Sequence, residues 1–331
     1  MLAAVRRRYG GADVVAVEEV PDPTPGPGEM VVRVEATTVN RTDCAYRSGS
    51  PRINRAVCGW PRPRPARRIL GSEYAGVVAS VGDDVTSFAA GDHVFGFVDG
   101  RPGAHAELVA VPMDGLVAAV PPGWGSAEAA PGMEGAHYAH AFLRVSGVGQ
   151  GDRALVHGAT GGIGTALVQL LIAASVEVTA VCDRLPADRP GLLEDLGVSG
   201  VVDLTTADGT DGVGSDFDAV FDATGHASFG AVRRLIRPGG SFASSDLGRA
   251  GQNLVLAAGA PAARRLNRRH VRFPLPHADA ALAGHLRGLM VRGAYRPVVD
   301  RTYSFEELRE AYTYVDSGRK VGNVIVVMPT S

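Results

Sequence analysis

The segment Leu155-Val156-His157-Gly158-Ala159-Thr160-Gly161-Gly162-Ile163-Gly164 joins an apolar run to a stretch of helical periodicity. In that setting glycines let the backbone approach a pyrophosphate, and the start of the helix offers free N–H groups and the positive end of its dipole. Thr160, Gly161, Gly162, Ile163 and Gly164 are therefore candidate dinucleotide-binding residues. Read as GxGxxG, the motif puts its first glycine on Ala159, with Gly158 one place early, and a lone glycine-rich loop also fits an ordinary tight turn. A second signal supports the first. Asp183 follows Gly164 by 19 residues, at the end of the next apolar run, where an acid accepts hydrogen bonds from a ribose 2′-hydroxyl. The same acid repels the extra phosphate of NADP, which Arg184 or Arg189 would instead attract, so the choice between NAD(H) and NADP(H) stays open.

The composition sets limits on everything else. A chain of 331 residues suggests two domains. With 45% apolar and 21% charged residues it is a globular sequence, and 33 basic against 35 acidic side chains leave a net charge of -2. That balance gives no overall attraction for nucleic acid or an anionic membrane. Cys44, Cys58 and Cys182 show no CxxC spacing, which excludes a disulfide framework or a zinc ribbon and fits a reducing, cytoplasmic setting. Arg6-Arg7-Arg8 is not followed by an apolar stretch, so no export signal is expected, and the most apolar segment, Ala166 to Val181, is too short and too interrupted to span a bilayer.

Two rhythms divide the chain. Val31 to Val39 alternates apolar and polar residues, Gly76 to Val81 is a β-branched run, and Gly91 to Phe95 follows a turn, so the first third reads as a compact, partly open β-barrel. From about Ala127 strand and helix signals alternate. Ala154–His157, Gly162–Ala174, Val176–Cys182, Val201–Asp203, Asp218–Asp222 and Ser241–Ser245 predict a parallel sheet covered by helices on both faces. The final apolar run, Val324 to Met328, is expected to return to the first domain.

Taken with Val39-Asn40-Arg41-Thr42-Asp43 and Gly71-Ser72-Glu73-Tyr74-Ala75-Gly76, these features resemble the medium-chain dehydrogenase/reductase superfamily, most of all its zinc-free, quinone oxidoreductase-like branch. Val81-Gly82, Gly91 to Gly96, Glu134 to Tyr138, Asp222 to Gly225, Pro238 to Gly240, Ser245 to Gly248 and Gly318 to Val324 extend the likeness over the whole chain. The resemblance implies an α/β Rossmann domain, a doubly wound parallel sheet, plus a GroES-like β-barrel domain. The expected boundaries are 1–125 completed by 265–331 for the barrel, and 126–264 for the nucleotide-binding domain. It adds Ala223, Thr224, Gly225, Lys320, Gly322 and Asn323 to the candidate cofactor contacts, and a homodimer is expected. Lys320 is the only lysine in the chain.

In the zinc alcohol dehydrogenases of the superfamily a cysteine, a histidine and a later cysteine hold the catalytic metal. Their places resemble Asn40, Ser72 and a cysteine-free stretch from Gly132 to Glu134, so no metal is expected; Glu73, Glu134 and His137 are the remaining polar candidates for a different site. Without a Lewis acid to hold a developing alkoxide, a quinone, enone or enoyl acceptor is easier to reduce than a simple carbonyl, because conjugation spreads the incoming charge. The resemblance thus implies zinc-independent, NAD(P)H-dependent hydride transfer to a conjugated carbonyl. Tyr46 is the candidate proton donor, Asn40 a candidate for orienting substrate or nicotinamide, and Asp43 a tie for the local backbone.

Pro51 to Arg68 carries six arginines and four prolines, and the resemblance sets it beside the substrate mouth as a candidate lid or an attractor of a carboxylate or coenzyme A thioester. Two other readings compete. One is a non-catalytic, crystallin-like NAD(P)H- or RNA-binding protein, with Arg62–Arg68 and Arg264–Arg272 as its basic clusters; aromatic residues make up only 6% and do not interleave them. The other is a carbonyl or alcohol dehydrogenase with unusual zinc ligands.

Overall fold

The computed structural model describes residues 1–98, 100–183, 185–204, 213–244, 252–266 and 268–329. The chain divides into two compact units: Met1–Glu134 with Ala278–Gly293 and Val299–Ser331, and Gly135–His277 with Ala294–Val298.

The first unit is built on strands β1 (Leu2–Val5), β2 (Ala16–Glu19), β3 (Glu29–Val39), β4 (Glu73–Val81), β5 (His93–Phe97), β6 (Leu108–Pro112) and β7 (Leu116–Ala119), joined late in the chain by β14 (Val299–Ser304) and β15 (Asn323–Val327). Seven of them form one curved sheet in the order β14-β15-β3-β4-β5-β7, with β6 also paired to β3. β3 alternates as its sequence suggests only over Val32–Ala36. Flanked by β15, β4 and β6, it buries Met30, Val31 and Val32 in succession and again every residue from Ala36 to Val39. The core joins Met30, Val32 and Val34 to Tyr74, Val94, Val111, Phe305, Tyr312 and Val326. This is the GroES-like domain, and the last strand closes it by antiparallel pairing of Val324 with Val39.

The second unit contains β8 (Arg153–His157), β9 (Glu177–Cys182), β10 (Gly200–Asp203), β11 (Phe217–Asp222), β12 (Ile236–Ser244) and β13 (His270–Arg272). All neighbours are parallel and the order is β10-β9-β8-β11-β12-β13. Renumbered within the unit this is 3-2-1-4-5-6, the doubly wound Rossmann order, with its topological switch between β8 and β11. β12 starts five residues before the expected Ser241, because Pro238-Gly239-Gly240 forms an irregularity that the pairing with β11 steps over. The return to the first unit comes at Ala278, not at residue 265, because His270–Arg272 pairs with β12 and keeps the preceding segment in the second unit. The first crossing falls after Glu134 and not after residue 125.

Candidate functional site

In the second unit, β8 runs out at His157 and the helix Gly162–Ala173 begins five residues later. The turn role in this loop falls to Gly158 and not to Ala159: Gly158 has φ +77°, and a Cβ there would stand 2.1 Å from Thr224 Cγ2. At Gly164 a Cβ would stand 2.0 Å from the Gly158 carbonyl oxygen, so the helix can press against the loop only without a side chain. Thr165 N donates to Gly161 O as the first helical bond, and the amides of Gly162, Ile163 and Gly164 precede it with no intrahelical acceptor. Thr160 is buried beside them. The result is an anion cradle at a helix N-terminus.

The neighbouring strand supplies the facing loop. β11 ends at Asp222, whose buried carboxylate gathers the residues after it: Oδ1 accepts from Thr224 N, Thr224 Oγ1 and Gly225 N at 3.1, 2.8 and 3.1 Å, and Oδ2 accepts from Ala227 N and Ser244 Oγ at 3.1 and 3.0 Å. Burial works to raise this carboxyl, yet the hydrogen bonds from His157 and Thr224 outweigh it and hold it below the usual range. Ala223 N donates to His157 O at 3.0 Å, so Ala223, Thr224 and Gly225 lie alongside Thr160–Gly164 at the switch point. Asp183 is exposed just past β9, on the same carboxyl edge of the sheet. Arg184 and the segment Ser245–Gly248 lie outside the described residues. The loop, the Asp222 knot and the exposed acid together fit an adenine dinucleotide.

The first unit holds a different constellation. Asn40 caps the helix Arg41–Ser48 in a capping box with Asp43. Its side-chain nitrogen donates to Glu73 Oε2 at 2.9 Å, Glu134 Oε2 at 3.0 Å and Thr38 Oγ1 at 3.2 Å. Lys320 Nζ donates to Asn40 Oδ1 at 3.3 Å and to Gly322 O at 2.5 Å. Glu73 also accepts from Thr38 Oγ1 and from the amides of Met133 and Glu134 at 2.8, 3.1 and 2.7 Å. Asp43 accepts from Asn40 N at 2.8 Å and Ser72 Oγ at 2.7 Å, the backbone tie its position suggests. Asn40, Lys320 and Gly322 are thus brought together here, and Asn323 is the buried first residue of β15. Tyr46 is buried on the same helix, its carbonyl accepting from Arg6 Nη1 at 2.9 Å.

Three buried carboxyls in one knot disturb each other's protonation. Burial and then the Asp43 charge lift Glu134 to about 7, against a hydrogen bond from Thr42, the charge of Lys320 and the Asn40 amide. Burial alone is the upward force on Asp43, which reaches about 6. Burial and then Glu134 push Glu73 well above the usual carboxylate range, opposed by hydrogen bonds from the Glu134 amide, the Thr38 hydroxyl and the Met133 amide. Burial lowers the Lys320 ammonium while the carboxylates pull it back up. Because folded Glu134 holds its proton where the unfolded chain has lost it, its contribution to stability falls as pH rises from about 4.5 to about 7. Glu134→Gln keeps an acceptor for Asn40 and removes this titration. The variant should gain stability relative to the parent across that window, by on the order of 2–3 kcal/mol in all. Urea unfolding at pH 4.5, 6 and 7.5 measures it; a pH-independent difference between the two proteins would count against the assignment.

Sequence reading missed the supports of this knot. His105 Nε2 lies 2.8 Å from Thr38 O, so that nitrogen carries the proton, and Tyr312 O–H reaches Nδ1 at 3.3 Å. Burial holds the imidazole neutral, down to about 4, although the carbonyl favours its charged form. Arg47 is buried against the Tyr312 ring and pairs with Asp316 at 2.7 Å, binding the helix Leu308–Asp316 to the helix of Asn40. These partners lie 207 and 269 residues apart, with no local pattern to reveal them.

The donor set does not fit a catalytic zinc. The Asn40 amide nitrogen is spent on two carboxylates, Ser72 Oγ on Asp43, and among the described residues no group of three His, Cys, Asp or Glu is arranged to hold a metal. A cavity of about 310 Å³ in this unit, lined by Tyr74, Phe97, Val111 and Leu116 among others, shares no residue with the knot.

Two family models match the chain. The alcohol dehydrogenase GroES-like domain family matches residues 26–122, and the zinc-binding dehydrogenase family matches residues 196–326. A spectinabilin polyketide synthase system protein of Streptomyces orinoci is 31% identical over 92% of the chain and 13% of its own length. The chain spans only 8–13% of the length of the first curated relatives it matches. The chloroplastic quinone-oxidoreductase of Triphysaria versicolor is 26% identical over 96% of this chain and 95% of its own. Among solved structures, the quinone oxidoreductase from Coxiella burnetii superimposes with a TM-score of 0.85 at 21% identity, covering 99% of both chains. A mycobacterial protein complexed with NADPH does so with a TM-score of 0.77 at 25% identity, covering 99% of this chain and 100% of its own.

Proposed function

Since the chain belongs to the medium-chain dehydrogenase/reductase superfamily, in its quinone oxidoreductase-like branch, we propose that it is an NAD(P)H-dependent oxidoreductase acting on a quinone, enone or enoyl-type carbonyl without zinc. The observation that carries this reading is the glycine cradle at the switch point of a 3-2-1-4-5-6 sheet, where Gly158 and Gly164 admit no Cβ and three helix-start amides remain to meet a pyrophosphate. Bound there, the reduced nicotinamide supplies a hydride.

The chain's own residues do the rest. The amides of Gly162, Ile163 and Gly164 hold the pyrophosphate, Asp183 receives the adenosine ribose hydroxyl, and the Asp222 knot keeps Ala223–Gly225 in place beside them. The relatives named quinone oxidoreductase support a conjugated acceptor. Tyr46 is the proposed proton donor to the reduced acceptor. Tyr46→Phe should lower kcat on the order of 10–100-fold while the dinucleotide Kd stays within twofold; full retention of rate would dismiss the phenol. The whole proposal is tested by following NADH and NADPH oxidation in parallel against quinones, enones, enoyl thioesters and aldehydes. Turnover is expected with the conjugated acceptors, and background rates throughout, with no dinucleotide binding by calorimetry, would refute it.

A further inference from the structure

The segment between Cys44 and Ser72 contains seven arginines and no acidic residue, in a chain whose net charge is -2. Six of the seven lie in Pro51–Arg68, and none of these six pairs with a carboxylate among the described residues. The segment is ordered. It forms the helix Ile53–Cys58 and a 3-10 turn at Pro65–Arg67, and Arg64 N donates to Cys58 O at 2.8 Å. Arg55 is clasped between two rings, its guanidinium carbon 4.8 Å from the centre of Tyr9 and 5.2 Å from that of Trp60, while its Nε donates to Gly49 O at 3.2 Å. Tyr9 is itself fixed by donating to Gly59 O at 2.6 Å.

This stacking leaves an unusual surface. Trp60 is 64% exposed although its ring is held, and Ile53 and Val57, one turn apart on the same helix face, are 61% and 40% exposed. Arg52, Arg62 and Arg64 of the same segment are exposed. Unpaired positive charge beside a pre-set indole and a short apolar strip matches a ligand with several phosphates, one base and a thin, weakly polar arm. A single indole provides for one base, where an RNA-binding surface repeats its aromatics.

We propose that this surface binds the nucleotide handle of a coenzyme A-type thioester, so that the acceptor is an enoyl thioester; this rests on the reductase reading above. Adenine stacks on Trp60, the 3′-phosphate and diphosphate pair with Arg52, Arg62 and Arg64, and the pantetheine arm lies along Ile53 and Val57. The reaction balances without a further reagent. The C=C π bond is lost, the β carbon gains a hydride and the α carbon a proton from solvent or a side chain, and the dinucleotide is oxidised by two electrons.

The full chain is assayed with NADPH or NADH, whichever it oxidises, on crotonyl-coenzyme A and on crotonyl-N-acetylcysteamine, which carries the same acyl group without the nucleotide. The expected kcat/KM ratio favours the coenzyme A ester on the order of 100-fold, and shrinks as salt rises from about 50 to about 300 mM. In Arg62→Ala/Arg64→Ala and in Trp60→Ala the ratio falls toward one. Equal kcat/KM for the two esters, or a ratio untouched by both variants, overturns the proposal. Turnover of quinones with neither ester reduced overturns it too, while leaving the reductase reading intact. If no acceptor of any class is reduced, calorimetry with coenzyme A itself decides: binding in the micromolar range that the variants lose supports the surface, and no heat at millimolar ligand overturns it. RNA or anionic vesicles binding through these arginines when coenzyme A does not would likewise overturn it.

Discussion

Gly164→Ala is expected to raise the dinucleotide Kd by on the order of 100-fold or more. The added methyl would stand 2.0 Å from the Gly158 carbonyl oxygen and 2.8 Å from Ala159 Cα. Both are backbone atoms, so no side chain can swing aside and the loop must move by about an ångström, a displacement that by itself costs on the order of 100-fold where geometry is critical. Moving the loop also misaims the helix-start amides. Hydrogen bonds to charged oxygens contribute about 1.5–3 kcal/mol each, so losing two gives a loss of similar or greater size. Fluorescence titration with NADH and NADPH reads the effect, and circular dichroism checks that the second unit is still folded. A Kd within threefold of the parent would show that the pyrophosphate does not lie on this loop.

Gly71→Ala should weaken the first unit by about 4 kcal/mol. Gly71 has φ +88°, a conformation that a Cβ penalises, and here the Cβ would also stand 2.3 Å from His105 Cδ2 and 2.4 Å from His105 N. No relaxation is available, because Gly71 O accepts from Gly103 N at 2.7 Å and Ala104 N at 3.0 Å, and His105 N donates to Leu70 O at 2.8 Å. Forcing the two segments apart pulls His105 from Thr38 O and disturbs the carbonyl side of the Asn40 knot two residues away. Against a total stability of about 5–15 kcal/mol this is a large fraction, and it corresponds to a fall in Tm of about 10 °C. Calorimetry on the variant gives the answer directly. A Tm shift under about 2 °C would mean that the close approach of Gly71 and His105 does not constrain the folded chain.

The glycine cradle and the strands around it were legible because their signals are local. A β-branched run, a glycine cluster and a helical repeat lie within twenty residues, and the spacing to Asp183 extends the pattern by one strand. The role of Gly158 in place of Ala159 was not legible, since a motif counts glycines and only the backbone shows which one is forced to positive φ. β3 misled in part: alternation predicts one buried face, and at its two ends, Met30–Val32 and Ala36–Val39, both faces of the strand are covered.

What the sequence determined alone is the pair of folds and the family likeness. The tertiary structure decided the rest: that Asn40 bridges Glu73 and Glu134, that Lys320 closes on Asn40 across 280 residues, and that Arg47 meets Asp316 across 269. Local elements follow from steric and hydrophobic preferences that act over a few residues. Buried charges find one another only after distant strands have paired, here when β15 docks on β3, and before that closure water solvates each of them separately.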